Sequence, residues 1–178
     1  ESGRSVSLSS DGSILAIGAR ANDENGSESG HVRVYQNVSG TWTQIGADIN
    51  GEAAGDESGR TAVSLSSDGS IVAIGAMFND GNGSNSGHVR VYQNISGTWT
   101  QIGADINGEA AGDRSGFSVS LSSDGSIVAI GAINNAGNGI DAGHVRVYSN
   151  VSGTWTQIGA DVDDEAAVDI SGYSVSLS

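Results

Sequence analysis

"SGHVRVYQNVSGTWTQIGAD" occupies Ser29 to Asp48, and it returns almost unchanged at Ser86 to Asp105 and at Ala142 to Asp161. The histidines of the three copies, and likewise the tryptophans, are spaced 57 and 56 residues apart. A fixed period of this length is typical of a repeat architecture in which every copy folds as the same supersecondary unit. The segment therefore sets the size of the unit and indicates three complete copies.

Each unit reads as four short β-strands. In the first unit, Ser5 to Ser9 alternates apolar residues with serine, and Asp11-Gly12 is a strong hairpin-turn pair. Ile14 to Ala19 is apolar almost throughout, so we expect this second strand to be buried on both faces. "HVRVYQ" and "TWTQIG" supply the third and fourth strands.

Four antiparallel strands, repeated, form the blade of a β-propeller. The prediction is an all-β protein, a β-propeller built of ~56-residue four-stranded antiparallel blades, with three blades and one extra strand in this chain. The predicted blades are 1–57, 58–114 and 115–170, and 171–178 is the first strand of a further blade, all within one propeller or repeat array. A β-solenoid is the weaker alternative, because its coils need fewer residues and no hairpin at a fixed point.

The motif "SGRSVSLSSDGSILAIGA" followed by "GHVRVY" resembles the FG-GAP repeats of integrin α-chain propellers and their microbial relatives. Ser2-Gly3 and Ser58-Gly59 stand in the Phe-Gly position of that family. Gly18-Ala19, Gly75-Ala76 and Gly131-Ala132 stand for its Gly-Ala-Pro, without the proline. The resemblance implies a propeller fold. The calcium loop of the family is not carried over to Asp11, Asp68 or Asp124, because "SSDGS" is too short to surround an ion.

Three blades do not close a ring, since closed propellers have about four to eight. An unpaired blade would expose an apolar face and a strand edge. The expected partners are therefore further blades of a longer chain or copies of this chain, and a filament is the third alternative.

The composition and the net charge argue against several classes of function. The 178 residues carry 21 acidic and 7 basic side chains, a net charge of −14, which argues against nucleic acid or an anionic membrane as a partner. Cysteine is absent, so there is no thiol chemistry, and no apolar run approaches the ~20 residues of a membrane span.

The repeated polar residues predict structural roles. His31, His88 and His144 occupy one position in every blade, whereas an active site is placed once, so we expect each histidine to hydrogen-bond neighbouring backbone. The arginines two residues later are expected to pair with carboxylates or to lie over aromatic rings. The tryptophans are expected to pack between blades. On this reasoning we predict no catalytic residues and no enzyme.

The acidic connectors between blades are candidate metal sites. Ca²⁺ prefers six to eight oxygen ligands on a flexible loop, and the alternating Asp-x-Asn-x-Glu pattern points several oxygens one way, although the EF-hand pattern is absent. A required cofactor is not expected; calcium is the candidate ion. The candidates are Asp48, Asn50, Glu52, Asp56, Asp105, Asn107, Glu109, Asp113, Asp161 and Asp163, and Asp164 adds to the last connector.

N-x-[ST] triplets occur on the predicted loops and turns and indicate N-linked glycosylation. The candidate acceptors are Asn25, Asn37, Asn82, Asn94 and Asn150. Together, these features predict a non-enzymatic extracellular or cell-surface structural repeat protein, such as a glycosylated filament or coat subunit. The alternative is an integrin-like or lectin-like adhesion propeller that binds through its loops, with calcium.

Overall fold

A computed structural model describes residues 1–163 and 165–178, and this part of the chain forms strands and no helix. The all-β prediction is confirmed. No helix long and apolar enough to cross a bilayer occurs among these residues.

Three antiparallel sheets follow one another along the chain, one for each repeat. The first sheet contains β1 (Val6–Leu8), β2 (Ile14–Ala19), β3 (His31–Val38), β4 (Thr41–Gln44) and β5 (Ile49–Asn50). The second contains β6 (Val63–Leu65), β7 (Ile71–Ala76), β8 (His88–Ile95), β9 (Thr98–Gln101) and β10 (Ile106–Asn107). The third contains β11 (Ser115–Leu121), β12 (Ile127–Ala132), β13 (His144–Val151), β14 (Thr154–Gln157) and β15 (Val162–Asp163).

The predicted fourth strand, "TWTQIG", ends at Gln44 as β4, and a further short strand, β5, lies in the segment predicted as a connector. In the first sheet, β4 pairs with the far half of β3 and β5 with its beginning. The ladder is interrupted at Gly46, whose φ of 71° lies in the left-handed region that a strand does not use. A Cβ atom at Gly46 would lie 3.1 Å from the indole Cδ1 of Trp99 in the next sheet. The carbonyl oxygen of Gly97 would lie closer still, at 2.6 Å, so the absence of a side chain at Gly46 lets the next sheet approach closely.

The first strands of the three sheets contact one another, and the sheets extend outward from them as blades. Serines of the alternating "SVSLS" pattern link these strands: the amide of Leu65 donates to Ser7 Oγ at 3.0 Å, and that of Leu121 to Ser64 Oγ at 3.0 Å. Residues 171–178 form no strand, but the amide of Leu177 donates to Ser120 Oγ at 2.9 Å in the same way. The polar half of the pattern thus joins neighbouring blades.

Two apolar cores lie between the sheets. The buried residues of the first are Ile14, Ala16, Val32, Val34, Ile49, Val63, Leu65, Val72, Ile74 and Tyr92. Those of the second are Ala73, Val89, Val91, Ile106, Leu121, Val128, Ile130 and Tyr148. β7 contributes to both cores, so the second strand of the middle sheet is buried on both faces, whereas in β2, where the prediction was made, Leu15 and Ile17 are only half-buried. Stability consequently depends on the contact between neighbouring sheets.

Tryptophan fastens each blade to the preceding one. Trp99 packs against the first core and donates its indole N–H to the carbonyl of Ile45 at 2.9 Å. Trp155 does the same with Ile102 at 2.8 Å. Trp42 has no preceding sheet in this structure and is 42% exposed. The prediction that tryptophan packs between blades is confirmed for the two residues that have a preceding sheet.

The last connector carries a local strain that the others avoid. Gly55 and Gly112 have φ of 84° and 89°, and the corresponding Val168 has φ of 69°, where a β-branched residue is strained. Val168 is 65% exposed, so little packing is lost on its removal.

Val168→Gly is expected to raise the free energy of unfolding by about 1 kcal/mol. The reciprocal change, Gly112→Val, should lower it by about 1–2 kcal/mol. Thermal or urea unfolding of both variants measures this difference, and a Val168→Gly protein that unfolds more easily than the wild type would contradict the assignment of strain.

Candidate functional site

The repeats diverge at one end of the sheets, where β2 ends, β3 begins and the connectors between sheets lie; we call it the connector end. Its side chains differ from unit to unit, while the strands are near copies. Arg4, Arg60, Phe117 and Tyr173 share one position of the repeat, and Arg20, Met77 and Ile133 share another. A set of residues placed once, rather than in every blade, is therefore found at this end.

A cleft of about 520 Å³ opens among the first strands at the connector end, and we call it the axial cleft. The side chains that give it chemical character are Arg4, Arg60, Phe117 and Tyr173. The two aromatic rings lie with centroids 5.0 Å apart, and the Nε of Arg60 is buried without a hydrogen-bond partner. The volume suits a small molecule, and the lining offers cations beside aromatic faces.

Four of the seven arginines lie at the connector end, and two of them line the cleft. Arg33, Arg90 and Arg146 occur in every unit, whereas Arg4, Arg20, Arg60 and Arg114 do not, and of these four Arg4 and Arg60 line the cleft. Glu57 holds Arg60 in an ion pair and lies 3.3 Å from Arg20, and the guanidinium groups of Arg60 and Arg114 lie over the ring of Phe78. Arg20 also pairs with Glu1 at 2.8 Å, and Arg4 lies 3.9 Å from the same carboxylate, so acidic side chains balance part of this positive charge.

A second feature of the connector end lies farther out, at the junctions between blades. His88 at the start of β8, Asp105 of the same blade and Glu52 of the preceding connector place one ligand atom each within 4.8 Å of one another. His144, Asp161 and Glu109 form the same arrangement at the next junction. We call these two groups the junction clusters.

The carboxylates of the junction clusters are oriented by outer hydrogen-bond and ion-pair partners. The Oδ1 atom of Asp105 accepts from Gln101 at 2.7 Å, and its Oδ2 atom lies 3.8 Å from His88 Nδ1. Glu52 Oε1 lies 3.5 Å from Arg90, and its Oε2 lies 3.8 Å from the same Nδ1. Each carboxylate thus has one oxygen held and the other directed at the imidazole.

The histidines of these clusters are buried and lack hydrogen bonds. His88 and His144 are each 1% exposed, and neither ring nitrogen of either residue has a hydrogen-bond partner among the described residues. Burial, followed by repulsion from Arg90, lowers the pKa of His88 to about 4, and burial is also the main cause that lowers the pKa of His144. At neutral pH both imidazoles are uncharged, the form that binds metal ions. The expectation that they bond neighbouring backbone is wrong.

The first blade holds only half of this arrangement. Asp48 Oδ2 lies 3.4 Å from His31 Nδ1, but Arg33 binds both oxygens of Asp48 at 2.7–2.9 Å. Arg90 and Arg146 instead donate to Asn50 and Asn107 carbonyls of the preceding connector at 2.8 Å. In the first blade, which has no preceding connector in this structure, the arginine instead binds the aspartate that faces the histidine.

The remaining metal candidates have other positions. Asp56 and Asp113 are buried loop caps that accept from Asn79 and Asn135, at 3.1 and 3.0 Å. Asn50 and Asn107 lie opposite histidines in the ladder. Asp163 occupies the same position in the third blade, and its Oδ1 lies 3.8 Å from His144 Nδ1. Asp164 lies outside the described residues.

The asparagines of the N-x-[ST] triplets have structural bonds. The Oδ1 atoms of Asn37, Asn94 and Asn150 accept from the glycine amide of the hairpin turn at 2.8–2.9 Å. The Nδ2 groups of Asn25 and Asn82 donate to the carbonyls of Gly51 and Gly108 at 2.8 Å. These contacts explain why asparagine suits the loops whether or not a glycan is attached.

Sequence reasoning placed carboxylates in the junction clusters but left their histidines out. The aspartate follows the histidine by 17 residues in every unit, and the glutamate of the preceding unit comes 36 or 35 residues earlier. The constant interval from histidine to aspartate was the signal available in the sequence. The contribution of the preceding blade becomes visible only in three dimensions.

No protein-family model matches the chain, and no curated protein matches it in sequence. Among solved structures, it is similar to a protein from Bacteroides uniformis assigned as a 6-phosphogluconolactonase, with a TM-score of 0.59 and 13% identity, over 90% of this chain and 40% of that one. It is also similar to the periplasmic gluconolactonase of Pseudomonas aeruginosa, with a TM-score of 0.48 and 15% identity, over 92% of this chain and 58% of that one. The first likeness establishes a propeller-like fold, and the chain spans 40% of the length of that neighbour.

These comparisons correct the functional predictions. We expected a non-enzymatic structural repeat protein, a glycosylated filament or coat subunit, or an adhesion propeller; the Bacteroides uniformis protein, which shares the fold, is instead named as a 6-phosphogluconolactonase, an enzyme. The physical reason for the error is that we weighed only residues repeated in every blade. The non-repeated side chains of the axial cleft form a single constellation, and the argument from repetition does not apply to them.

Proposed function

We propose that this chain is part of a β-propeller hydrolase that binds a small anionic lactone in the axial cleft. The observation that carries the proposal is the divergence of the repeat at Arg4, Arg60, Phe117 and Tyr173, which places cationic and aromatic side chains around one cleft. Repetition elsewhere maintains the scaffold, whereas this position holds arginine in the first two units, phenylalanine in the third and tyrosine in the last.

The chemistry of the cleft suggests the class of ligand. Arginine binds phosphate or carboxylate through several N–H donors, and both Arg4 and Arg60 line the cleft. The Phe117–Tyr173 pair gives an apolar face for the carbon skeleton of a sugar-like ring. A phosphorylated lactone, the substrate class in the name of the Bacteroides uniformis neighbour, combines both features.

The lining residues suit binding better than proton transfer. Among the described residues that line the axial cleft there is no carboxylate and no histidine. Lactone opening needs a base or a bound metal to activate water. We therefore propose that this cleft holds the substrate. Groups outside the cleft, including residues of blades beyond this chain, would activate the water.

The test is binding of 6-phosphogluconate and gluconate, the ring-opened forms of the two lactones, measured by calorimetry. The Arg4→Gln/Arg60→Gln protein is expected to bind 6-phosphogluconate at least about tenfold more weakly, because charged hydrogen bonds are lost. Arg33→Gln removes one positive charge away from the cleft and should leave the affinity unchanged. A wild-type protein that binds neither compound, or an affinity equal in all variants, would reject the proposal.

The finer family assignment remains a separate proposal. The Ser-Gly pairs at the blade starts and the Gly-Ala pairs that end β2, β7 and β12 support membership among FG-GAP-type repeats. The test is the solved structure of a single FG-GAP blade superposed on each sheet. Ser-Gly and Gly-Ala positions that fail to coincide would reject it.

The candidate ion also changes, since calcium was the ion considered from the sequence. Each junction cluster contains a buried imidazole. Calcium prefers hard oxygen ligands to an imidazole nitrogen. Imidazole with carboxylates suits a transition metal ion.

A further inference from the structure

We infer that the two junction clusters are binding sites for divalent transition metal ions, and that each ion joins two neighbouring blades. The donors are His88, Asp105 and Glu52 at one junction and His144, Asp161 and Glu109 at the other. The inference is independent of the proposed lactone site, since no residue of the clusters lines the axial cleft.

The spacing of the donors fits an ion better than direct contact. The Nδ1 atom of His88 is 3.8 Å from both carboxylate oxygens, and that of His144 is 4.0 and 3.7 Å from its two. Hydrogen bonds require about 2.7–3.2 Å. A tetrahedral zinc ion with ligands at about 2.1 Å holds its donor atoms about 3.4 Å apart, so a small contraction closes each cluster on the ion.

The buried imidazoles supply an independent reason. A neutral histidine with both nitrogens buried and unpartnered loses the hydrogen bonds it makes in water, which is unfavourable. Nδ1 faces two carboxylate oxygens, and two carboxylates that converge on one point repel each other unless a proton or a cation lies between them. A divalent ion satisfies the imidazole and neutralises the two carboxylates at once.

The carboxylates of the junction clusters have the kind of hydrogen-bond and ion-pair partners that metal-ligating carboxylates usually have. Gln101 and Gln157 donate to the second oxygen of Asp105 and Asp161 at 2.7 Å. Arg90 and Arg146 lie 3.5 Å from the second oxygen of the two glutamates. Such contacts fix the orientation of ligating carboxylates and are a regular feature of metal sites.

The class of ion follows from the donors. One imidazole nitrogen and two carboxylate oxygens suit Zn²⁺, Co²⁺, Fe²⁺ or Mn²⁺, with coordination positions left for water. At the third blade, Asp163 lies 3.8 Å from His144 where the second blade has Asn107. The extra negative charge should make this junction the tighter of the two sites.

The first blade provides a natural control. Among the described residues no second carboxylate completes a cluster with His31 and Asp48, and Arg33 binds both oxygens of that aspartate. We therefore expect no ion at His31, although its surrounding sequence is almost identical to that of His88.

The experiment is calorimetric titration of EDTA-treated protein with Zn²⁺, with Co²⁺ absorption as a second readout. The wild type and His31→Gln are expected to bind two ions in the micromolar range or tighter. Asp105→Asn/Asp161→Asn, which alters part-exposed side chains and preserves their shape, should weaken binding at least a hundredfold. His88→Gln should lose one ion and keep the other.

Unfolding in EDTA and in Zn²⁺ separates binding from folding. Zn²⁺ should raise the melting temperature of the wild type and not that of Asp105→Asn/Asp161→Asn, because an ion stabilises only the state that binds it. Equal melting of these proteins in EDTA shows that the variant folds. Absence of Zn²⁺ binding by the wild type, unchanged binding by the aspartate variant, or an equal response to Ca²⁺ would overturn the inference.

Discussion

Replacement of Gly75 by alanine is expected to lower the free energy of unfolding by about 3 kcal/mol or more, a large part of the 5–15 kcal/mol typical of a domain. A Cβ atom at Gly75 would lie 2.0 Å from the carbonyl oxygen of Gly116 in the next sheet. This oxygen belongs to backbone, so it cannot rotate away as a side chain would, and the two sheets would have to separate.

The same contact occurs at Gly18 and at Gly131, each with a carbonyl oxygen at 2.0 Å, so the three Gly-Ala pairs mark three equivalent contacts. Gly137→Ala is the matched control, because the nearest atom to its Cβ would be the side-chain Oδ1 of Asn135 at 3.1 Å. Its free energy of unfolding should stay within about 1 kcal/mol of the wild type. Urea unfolding measures both changes, and a mild effect of Gly75→Ala would mean that the sheets pack less closely than described.

Trp99→Ala is expected to destabilise the protein by about 3 kcal/mol, while Trp42→Ala should cost less than about 1 kcal/mol. The Trp99 indole packs into the core between the first and second sheets and donates to the Ile45 carbonyl; its loss leaves a cavity and an unpaired acceptor. Trp42 is 42% exposed and makes no such bond among the described residues.

The pair is informative because both residues stand in the same sequence, "GTWTQIG". Thermal unfolding of the two variants measures the difference. Equal destabilisation would mean that Trp42 is packed against another surface in solution, such as a further blade or a second copy of the chain.

Much of the architecture could be predicted from the period and the residue pattern. Ile14 to Ala19 was predicted as a strand with the bounds that β2 has, and the serine–apolar alternation predicted the first strand. Asp11-Gly12 forms a turn in which Gly12 has φ of 71°. These features depend on local chemistry: glycine tolerates positive φ, and an apolar strand is stable when both faces are covered.

The close approach of Gly46 to the next sheet could not be predicted, because the atoms that a Cβ would meet there belong to Gly97 and Trp99, 51 and 53 residues further on. The axial cleft was missed for a related reason. Arg4, Arg60, Phe117 and Tyr173 lie at the starts of four successive units, and only the packing of the first strands brings them around one space.

The "HVRVY" segment is identical in all three units. It separates most clearly what the chain determines by itself from what depends on tertiary packing. The sequence by itself determined that each copy forms the third strand of an antiparallel blade, since alternation and period are properties of the chain. Only the tertiary structure decided what its polar residues do: Arg33 binds its own blade's Asp48, whereas Arg90 reaches the preceding connector. Identical residues differ in their contacts because a blade junction takes its donors from two units, and a side chain can use only the partner that packing places beside it.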